Sequence, residues 1–270
     1  MATLSNIPQP PLDAVMPPAQ TTITVIFAIL ALVSLVYTIF VSLRTKSALP
    51  LAIFVGCTLS MYCEAIVTYL GHCWYPAIGQ MTLYETMDHK IPWFAGLAYC
   101  FYFAPGIIYL VDAFEKGMST RTFWVFLAVT AAFVVGYDYL GISLGLWLYY
   151  GETPLTVAGF PFWWVPANLM VFVPAAIVIY LAKPYLTGWR TALIVPFMAA
   201  QVLMFHGLAS LPMYSALNSS AGHGLRTLAV VMTFGISLAT MWVSARIACR
   251  DEASVAREAM TLGVSAQAAG

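Results

Sequence analysis

Charge is what this 270-residue chain has least of: 11 Lys and Arg, 11 Asp and Glu, and 4 His, so that charged residues make up 8% of it, against about 25% in a soluble domain. A chain this poor in charge and 61% hydrophobic reads as an integral membrane protein. Its formal net charge is +0, and without a basic block or a Lys/Arg-rich face it has no electrostatic footprint for nucleic acid. Cys57, Cys63, Cys73, Cys100 and Cys249 form no CxxC pair, which removes zinc ribbons and dithiol redox motifs; they read as buried membrane thiols. Histidine is equally scarce, and no H-E-x-x-H or H-x-x-E-H spacing occurs, so histidine-box hydroxylases and desaturases are excluded. His72, Glu85, Asp88 and His89 contain the ingredients of a two-His, one-carboxylate site, but Asp88 and His89 are adjacent in a loop, and no metal or other cofactor is expected. There is no P-loop and no aspartate-rich cluster for a magnesium diphosphate.

Long apolar runs take the place of these motifs. After a Pro-rich segment, residues 1–21, that lacks the basic n-region of a secretory signal and reads as a disordered tail, runs of spanning length fall at about 22–43, 48–70, 93–114, 123–144, 162–182, 190–215 and 224–248. The expected fold is therefore an all-α bundle of seven transmembrane helices over residues 22–248, followed by a tail at 249–270. The fourth span is loosened at its end by Gly136, Asp138, Gly141 and Gly145. With seven spans, Arg44, Lys46, Lys116, Arg121, Lys183, Arg190, Arg246, Arg250 and Arg257 share one side, and of the 11 basic residues only Lys90 and Arg226 lie on the other. The positive-inside rule then puts the N terminus outside and the C-terminal tail in the cytoplasm. The expected location is a multi-pass position in a bacterial inner membrane.

One carboxylate, Glu64, stands alone inside the second run. A charged group at the bilayer centre costs at least about 2.5–3.5 kcal/mol, so such residues face the bundle interior and mark functional sites. Cys57, Ser60 or Met61, Glu64, Thr68 and His72 recur at helical spacing as one polar stripe. The sixth run adds Gln201, His206, Ser210 and Tyr214, the fifth adds Asn168, and the third carries Tyr99, Tyr102 and Tyr109, with Gly106 permitting close helix approach. Asp138, toward the same end of the fourth run, is placed to face Glu64 or His72. The catalytic candidates are Glu64, Asp138 and His206, and the substrate-binding candidates are Thr68, His72, Tyr99, Tyr102, Trp147, Trp164, Asn168 and Gln201. Plainer roles exist for each: a packing carboxylate for Glu64, a satisfied core histidine for His206, and an aromatic belt for Trp74, Trp93, Trp147, Trp163 and Trp164. Asp112, beside Glu115 and Lys116, reads as an interface residue.

Seven spans also suit microbial rhodopsins and G-protein-coupled receptors, but residues 224–248 hold no lysine for a retinal Schiff base, and Asp112-Ala113-Phe114 stands where receptors carry Asp-Arg-Tyr. Residues 136–170 contain Gly-Tyr-Asp-Tyr-Leu-Gly, then Gly-Leu-Trp-Leu-Tyr-Tyr-Gly-Glu-Thr-Pro-Leu and Gly-Phe-Pro-Phe-Trp-Trp. That stretch, about an eighth of the chain, resembles bacterial carotenoid-biosynthesis membrane proteins of the carotenoid hydratase and lycopene-cyclase-like group. Glu64 in the second helix resembles the acidic residue of small seven-helix membrane terpenoid cyclases, although Asn218 and His223 stand where such chains carry a later acid. The resemblance implies Asp138 and Glu64 as acids acting on a lipid-soluble isoprenoid-type substrate. Cyclising, isomerising or hydrating a polyprenyl chain needs a general acid, a dry cavity and aromatic faces for the cation. The alternatives are a small-molecule transporter or binding module, for which the expected repeat between the first three and last three helices is missing, and a non-catalytic subunit of a membrane complex. Membrane lipids are the other expected partners, and nothing in the sequence specifies an oligomeric state. The basic-residue split predicts that a reporter fused after Gly270 is cytoplasmic and one inserted at Glu152 is outside; both on one side would end the seven-span reading.

Overall fold

The computed structural model describes residues 7–250. Seven helices are long and apolar enough to cross a membrane: α1 (Ala19–Thr45), α2 (Leu49–Leu70), α3 (Trp93–Glu115), α4 (Thr120–Ser143), α5 (Trp164–Tyr185), α6 (Gly188–Leu217) and α7 (His223–Ala248). In their most apolar windows α3 and α5 are 67% buried and α1 and α4 only 28%, so the first pair forms the centre of the bundle and the second its lipid-facing wall. α1 packs on α3, α2 on α6, and α5 on α3, α4 and α7. Gly56 sets the α2–α6 approach, since a Cβ there would overlap the Met198 Cβ and lie 2.7 Å from the Val195 carbonyl oxygen.

Several helices are not regular throughout. α2 tightens to a 3₁₀ turn at Ser60–Cys63, α3 breaks at Phe103 ahead of Pro105, and α6 widens to a π-helical segment at Val202–Gly207. α5 carries Pro174 inside it. α4, which the glycines were expected to loosen, is continuous to Ser143 and is capped by the Ser119 side chain, which accepts from the Thr122 N–H at 3.1 Å.

The loops at the end of the bundle where α2 finishes and α5 starts are not irregular, as an all-helical reading expected, but carry short antiparallel strands. β1 (Cys73–Trp74) pairs with β4 (Leu148–Tyr149), β2 (Thr82–Thr86) with β3 (His89–Pro92), and β5 (Thr156–Val157) with β6 (Phe160–Pro161). The β1–β4 pair, in register Cys73↔Tyr149 and Trp74↔Leu148, stitches the α2–α3 and α4–α5 connections into one cap. The Pro-rich segment departs from the expected disorder. Met16 is buried and its N–H donates to the Ile78 carbonyl at 2.9 Å, while Gln20 donates to the Gly79 carbonyl and accepts from the Met81 N–H. Apolar burial and satisfied backbone groups hold this strap against the cap. At the opposite end Lys183 pairs with Glu115, Lys116 with Asp112, and the Arg250 N–H donates to the Met118 carbonyl at 3.0 Å. Glu115 is exposed there and Asp112 half-buried. Most of the C-terminal tail, and the first six residues, lie outside the described residues.

The Gly56 contact makes a stability prediction. Gly56→Ala forces an overpacked α2–α6 contact and should lower stability by about 1–3 kcal/mol. Gly136→Ala, on α4 with no atom within 4 Å of the added Cβ, should instead gain up to about 1 kcal/mol from helix propensity. Thermal unfolding of both variants in one detergent checks the opposite signs.

Candidate functional site

Glu64 is the first residue after the 3₁₀ turn of α2. Its two carboxyl oxygens accept from two phenols, Oε1 from Tyr75 and Oε2 from Tyr99, each at 2.5 Å. Tyr99 comes from α3 and Tyr75 follows β1, so three segments meet at one carboxyl group. Asp138, one turn before the end of α4, is buried, and its Oδ1 accepts from the Tyr149 hydroxyl at 2.7 Å and the Trp147 indole N–H at 3.3 Å. Trp147 reaches it by folding back under Gly141, where a Cβ would overlap its ring.

Both carboxyl groups line one cavity of about 80 Å³ between α2, α3, α4, α5 and α6. Its walls include Thr68, Cys73, Tyr75, Tyr99, Tyr102, Phe103, Tyr137, Trp147, Tyr149, Trp164, Asn168 and His206. The rings pack on one another: Tyr137 stacks on Trp147 with centroids 5.2 Å apart, Tyr102 meets Phe103 edge-on at 4.8 Å, and Trp164 lies 4.8 Å from His206. The three helix irregularities fall at this level, since Glu64 follows the 3₁₀ turn, Phe103 is the break in α3, and His206 sits in the π segment. Departures of this kind re-aim side chains and concentrate at functional sites.

Of the residues singled out from sequence, the structure brings Glu64, Asp138, His206, Thr68, Tyr99, Tyr102, Trp147, Trp164 and Asn168 to this cavity, and leaves His72 and Gln201 outside it. His72 has a left-handed backbone, φ 56, that turns the chain off α2 into β1, and its ring stacks on Tyr150 with centroids 4.7 Å apart. The end of the helix, not its face, decides where His72 goes. Gln201 is wholly buried between α6 and α2, its amide donating to the Cys57 sulfur at 3.2 Å. The π segment begins one residue later, so the helical stripe through Gln201 and His206 does not continue on one line. Asp138 lines the same cavity as Glu64, but its hydrogen bonds run to Trp147 and Tyr149. The aromatic-belt reading fails for four of its five tryptophans: Trp74, Trp147, Trp163 and Trp164 are buried, and only Trp93 is exposed. Tyr109 likewise faces outward.

Sequence reasoning missed Tyr75, Tyr137, Tyr149 and Cys73. The β1–β4 pairing places Cys73 and Tyr149 opposite one another, and such a long-range contact leaves no periodic signal. Tyr137 and Tyr149 do flank Asp138 and Trp147 in the segments quoted above. Burial above all pushes the Tyr75 hydroxyl well above the usual phenol range, and burial together with Asp138 does the same to Tyr149. Both stay neutral donors. Burial also raises the Cys73 thiol, which keeps it protonated and unreactive. Among the described residues, no group of three or more His, Cys, Asp or Glu side chains is arranged to hold a metal ion.

No family model, no curated protein and no solved structure matches this chain. The functional reading therefore rests on the geometry of the cavity.

The cap holds a pH-dependent element. His89 is buried, its Nε2 lies 3.2 Å from the Thr68 hydroxyl and its ring meets Trp74 edge-on at 4.8 Å. Burial pushes its imidazole down to about 4, below the unfolded value of about 6.5. The unfolded chain thus binds the proton first, so stability is lost as pH falls from about 6.5 to about 4 and levels off below. His72, also lowered by burial, adds in the same direction. Unfolding temperatures measured from pH 7 to pH 4 should fall, and His89→Gln should flatten that fall.

Proposed function

We propose that this chain is a membrane-embedded enzyme that acts on a lipid-soluble, isoprenoid-type substrate by acid-initiated cyclisation, isomerisation or hydration. One observation carries the reading: two carboxyl groups, Glu64 and Asp138, each held by neutral aromatic donors, line a single cavity whose walls are aromatic. A packing carboxylate needs partners but no cavity. A cation-forming site needs an acid, a base and π faces in one enclosed space.

In the proposed step Glu64, in its acid form, transfers a proton to an alkene carbon or an epoxide oxygen of the substrate. The C=C π pair becomes the new C–H bond, or an epoxide lone pair forms the O–H bond while the breaking C–O pair stays on oxygen, and in either case one carbon is left as a carbocation. Tyr102, Phe103, Tyr137 and Trp147 face it, and their ring quadrupoles lower its energy. The cation is discharged when a second alkene forms a C–C bond and a neighbouring carbon gives up a proton, when proton loss alone moves the double bond, or when water adds and releases its proton. In this reading Asp138 accepts that proton, and its return to Glu64 closes the cycle. An epoxide is the easier acceptor, because its oxygen is far more basic than an alkene carbon.

On this reading the capped end faces outward and the basic end lies in the cytoplasm of a bacterial inner membrane, with substrate entering from the bilayer. The test uses purified protein in lipid nanodiscs, supplied with ten-, fifteen- and twenty-carbon isoprenols, their hydrocarbons and their terminal epoxides, with products read by mass spectrometry. Glu64→Gln keeps size and hydrogen bonding but removes the transferable proton, so turnover should fall by about 10²–10⁴-fold while the protein stays folded. Unchanged turnover in that variant would make Glu64 a packing carboxylate, and binding without any product from the wild type would leave a binding module instead.

A further inference from the structure

Polar atoms that the fold buries without a partner point to what the cavity is built to hold. Among the described residues ten buried side-chain nitrogen and oxygen atoms make no hydrogen bond, and only two of them, Trp164 Nε1 and His206 Nε2, belong to residues lining the cavity. Both residues are at least nine-tenths buried, and their rings lie 4.8 Å apart. The other imidazole nitrogen is taken: His206 Nδ1 lies 3.0 Å from the Tyr214 hydroxyl and 3.5 Å from that of Ser210. One turn along α5 from Trp164, the half-buried Asn168 amide also lines the cavity and forms no hydrogen bond among the described residues. The α5–α6 residues of the wall thus hold unspent hydrogen-bonding capacity, whereas the two carboxyl groups are already engaged by Tyr75, Tyr99, Trp147 and Tyr149.

A wall for a pure hydrocarbon would carry no orphaned indole N–H, since a buried donor without an acceptor destabilises the fold. We infer that Trp164, His206 and Asn168 form a subsite for one neutral oxygen of an otherwise apolar ligand, so that the substrate class is an oxygenated isoprenoid rather than a hydrocarbon. This rests on the cavity being a ligand site, as proposed above, but not on the acid chemistry. The indole can only donate, so the ligand must offer an acceptor. An alcohol, ether, ketone or epoxide oxygen does so, and none adds a charge that the aromatic walls would have to desolvate. Held there, the oxygen anchors one end of the molecule while the chain lies along Tyr102, Phe103 and Tyr137.

The test compares three probes of one carbon skeleton, tritium-labelled farnesol, farnesyl methyl ether and farnesene, by equilibrium binding to wild-type protein in nanodiscs of fixed lipid composition. Farnesol and the ether should each bind roughly tenfold or more tightly than farnesene, the size of one buried hydrogen bond. Trp164→Phe, which keeps the ring stack and removes the N–H, should cut that preference by roughly tenfold while leaving farnesene affinity unchanged. His206→Phe should weaken it independently, and Glu64→Gln should keep it. Equal affinity for all three probes in the wild type would overturn the subsite, because water would then be satisfying the two nitrogens. So would an ether that binds no better than farnesene, or failure of farnesol to bind at all. The wild-type comparison needs no variant to fold. Loss of turnover in Glu64→Gln with the farnesol preference intact supports both inferences, and an intact preference without turnover of any substrate defeats only the chemistry.

Discussion

The hydrogen bonds that Tyr75 and Tyr99 donate to Glu64 are the constraint around which the bundle is arranged. A carboxyl group inside a membrane span is costly unless both oxygens are satisfied, and α2 alone cannot supply the partners, because its own N–H groups are spent in the helix. The donors must come from elsewhere. Tyr99 fixes the rotation of α3 against α2, and Tyr75 requires the chain after α2 to turn back over the bundle instead of running out into solvent. The left-handed residue His72, the β1–β4 pair and the docked Pro-rich strap follow from that return. Asp138 repeats the arrangement on α4, drawing Trp147 and Tyr149 back from the α4–α5 connection.

Those demands explain which parts of the molecule could be read from residues alone. Helix number and limits follow from hydropathy, because in hydrocarbon every backbone group must pair within its own segment, and the seven runs match the seven helices closely. Glu64, Tyr99 and Tyr102 were visible because they recur at helical spacing on regular stretches. Helical phase failed where the helices stop being regular. Gln201 precedes a π segment that rotates everything after it, and His72 lies beyond the last turn of α2. Tyr75 and Tyr149 were hidden for another reason: their positions depend on a strand pair formed between residues far apart in the chain, which no local pattern encodes. The tryptophans misled because position near a membrane boundary is compatible with two opposite directions, outward to lipid headgroups or inward to a cavity. Only the need of Asp138 for a donor, and the space that Gly141 leaves, distinguishes them for Trp147.

Size narrows the proposed chemistry further. A cavity of about 80 Å³ is well below the roughly 300–1,000 Å³ that encloses a drug-sized ligand, so under the proposed mechanism it has room for the reacting end of a molecule and a few carbons, not for a full-length carotenoid. The remainder of a long substrate has to lie between helices or in the bilayer. The cap is packed with rings, Trp74 against His89 and His72 against the half-buried Tyr150, while the flanks of the bundle are lined with exposed aliphatic side chains on α1, α4 and α7. An apolar chain entering from the aqueous side would have to part that ring-packed cap, whereas one entering from the lipid meets only side chains of its own polarity. Under the proposed mechanism the same asymmetry would keep bulk water from the carbocation, so that elimination and ring closure compete only with whatever single water the cavity admits. Hydration products, where they form, then report the occupancy of that water, and the balance between ring closure and hydration becomes a property of how tightly the cap closes over Glu64.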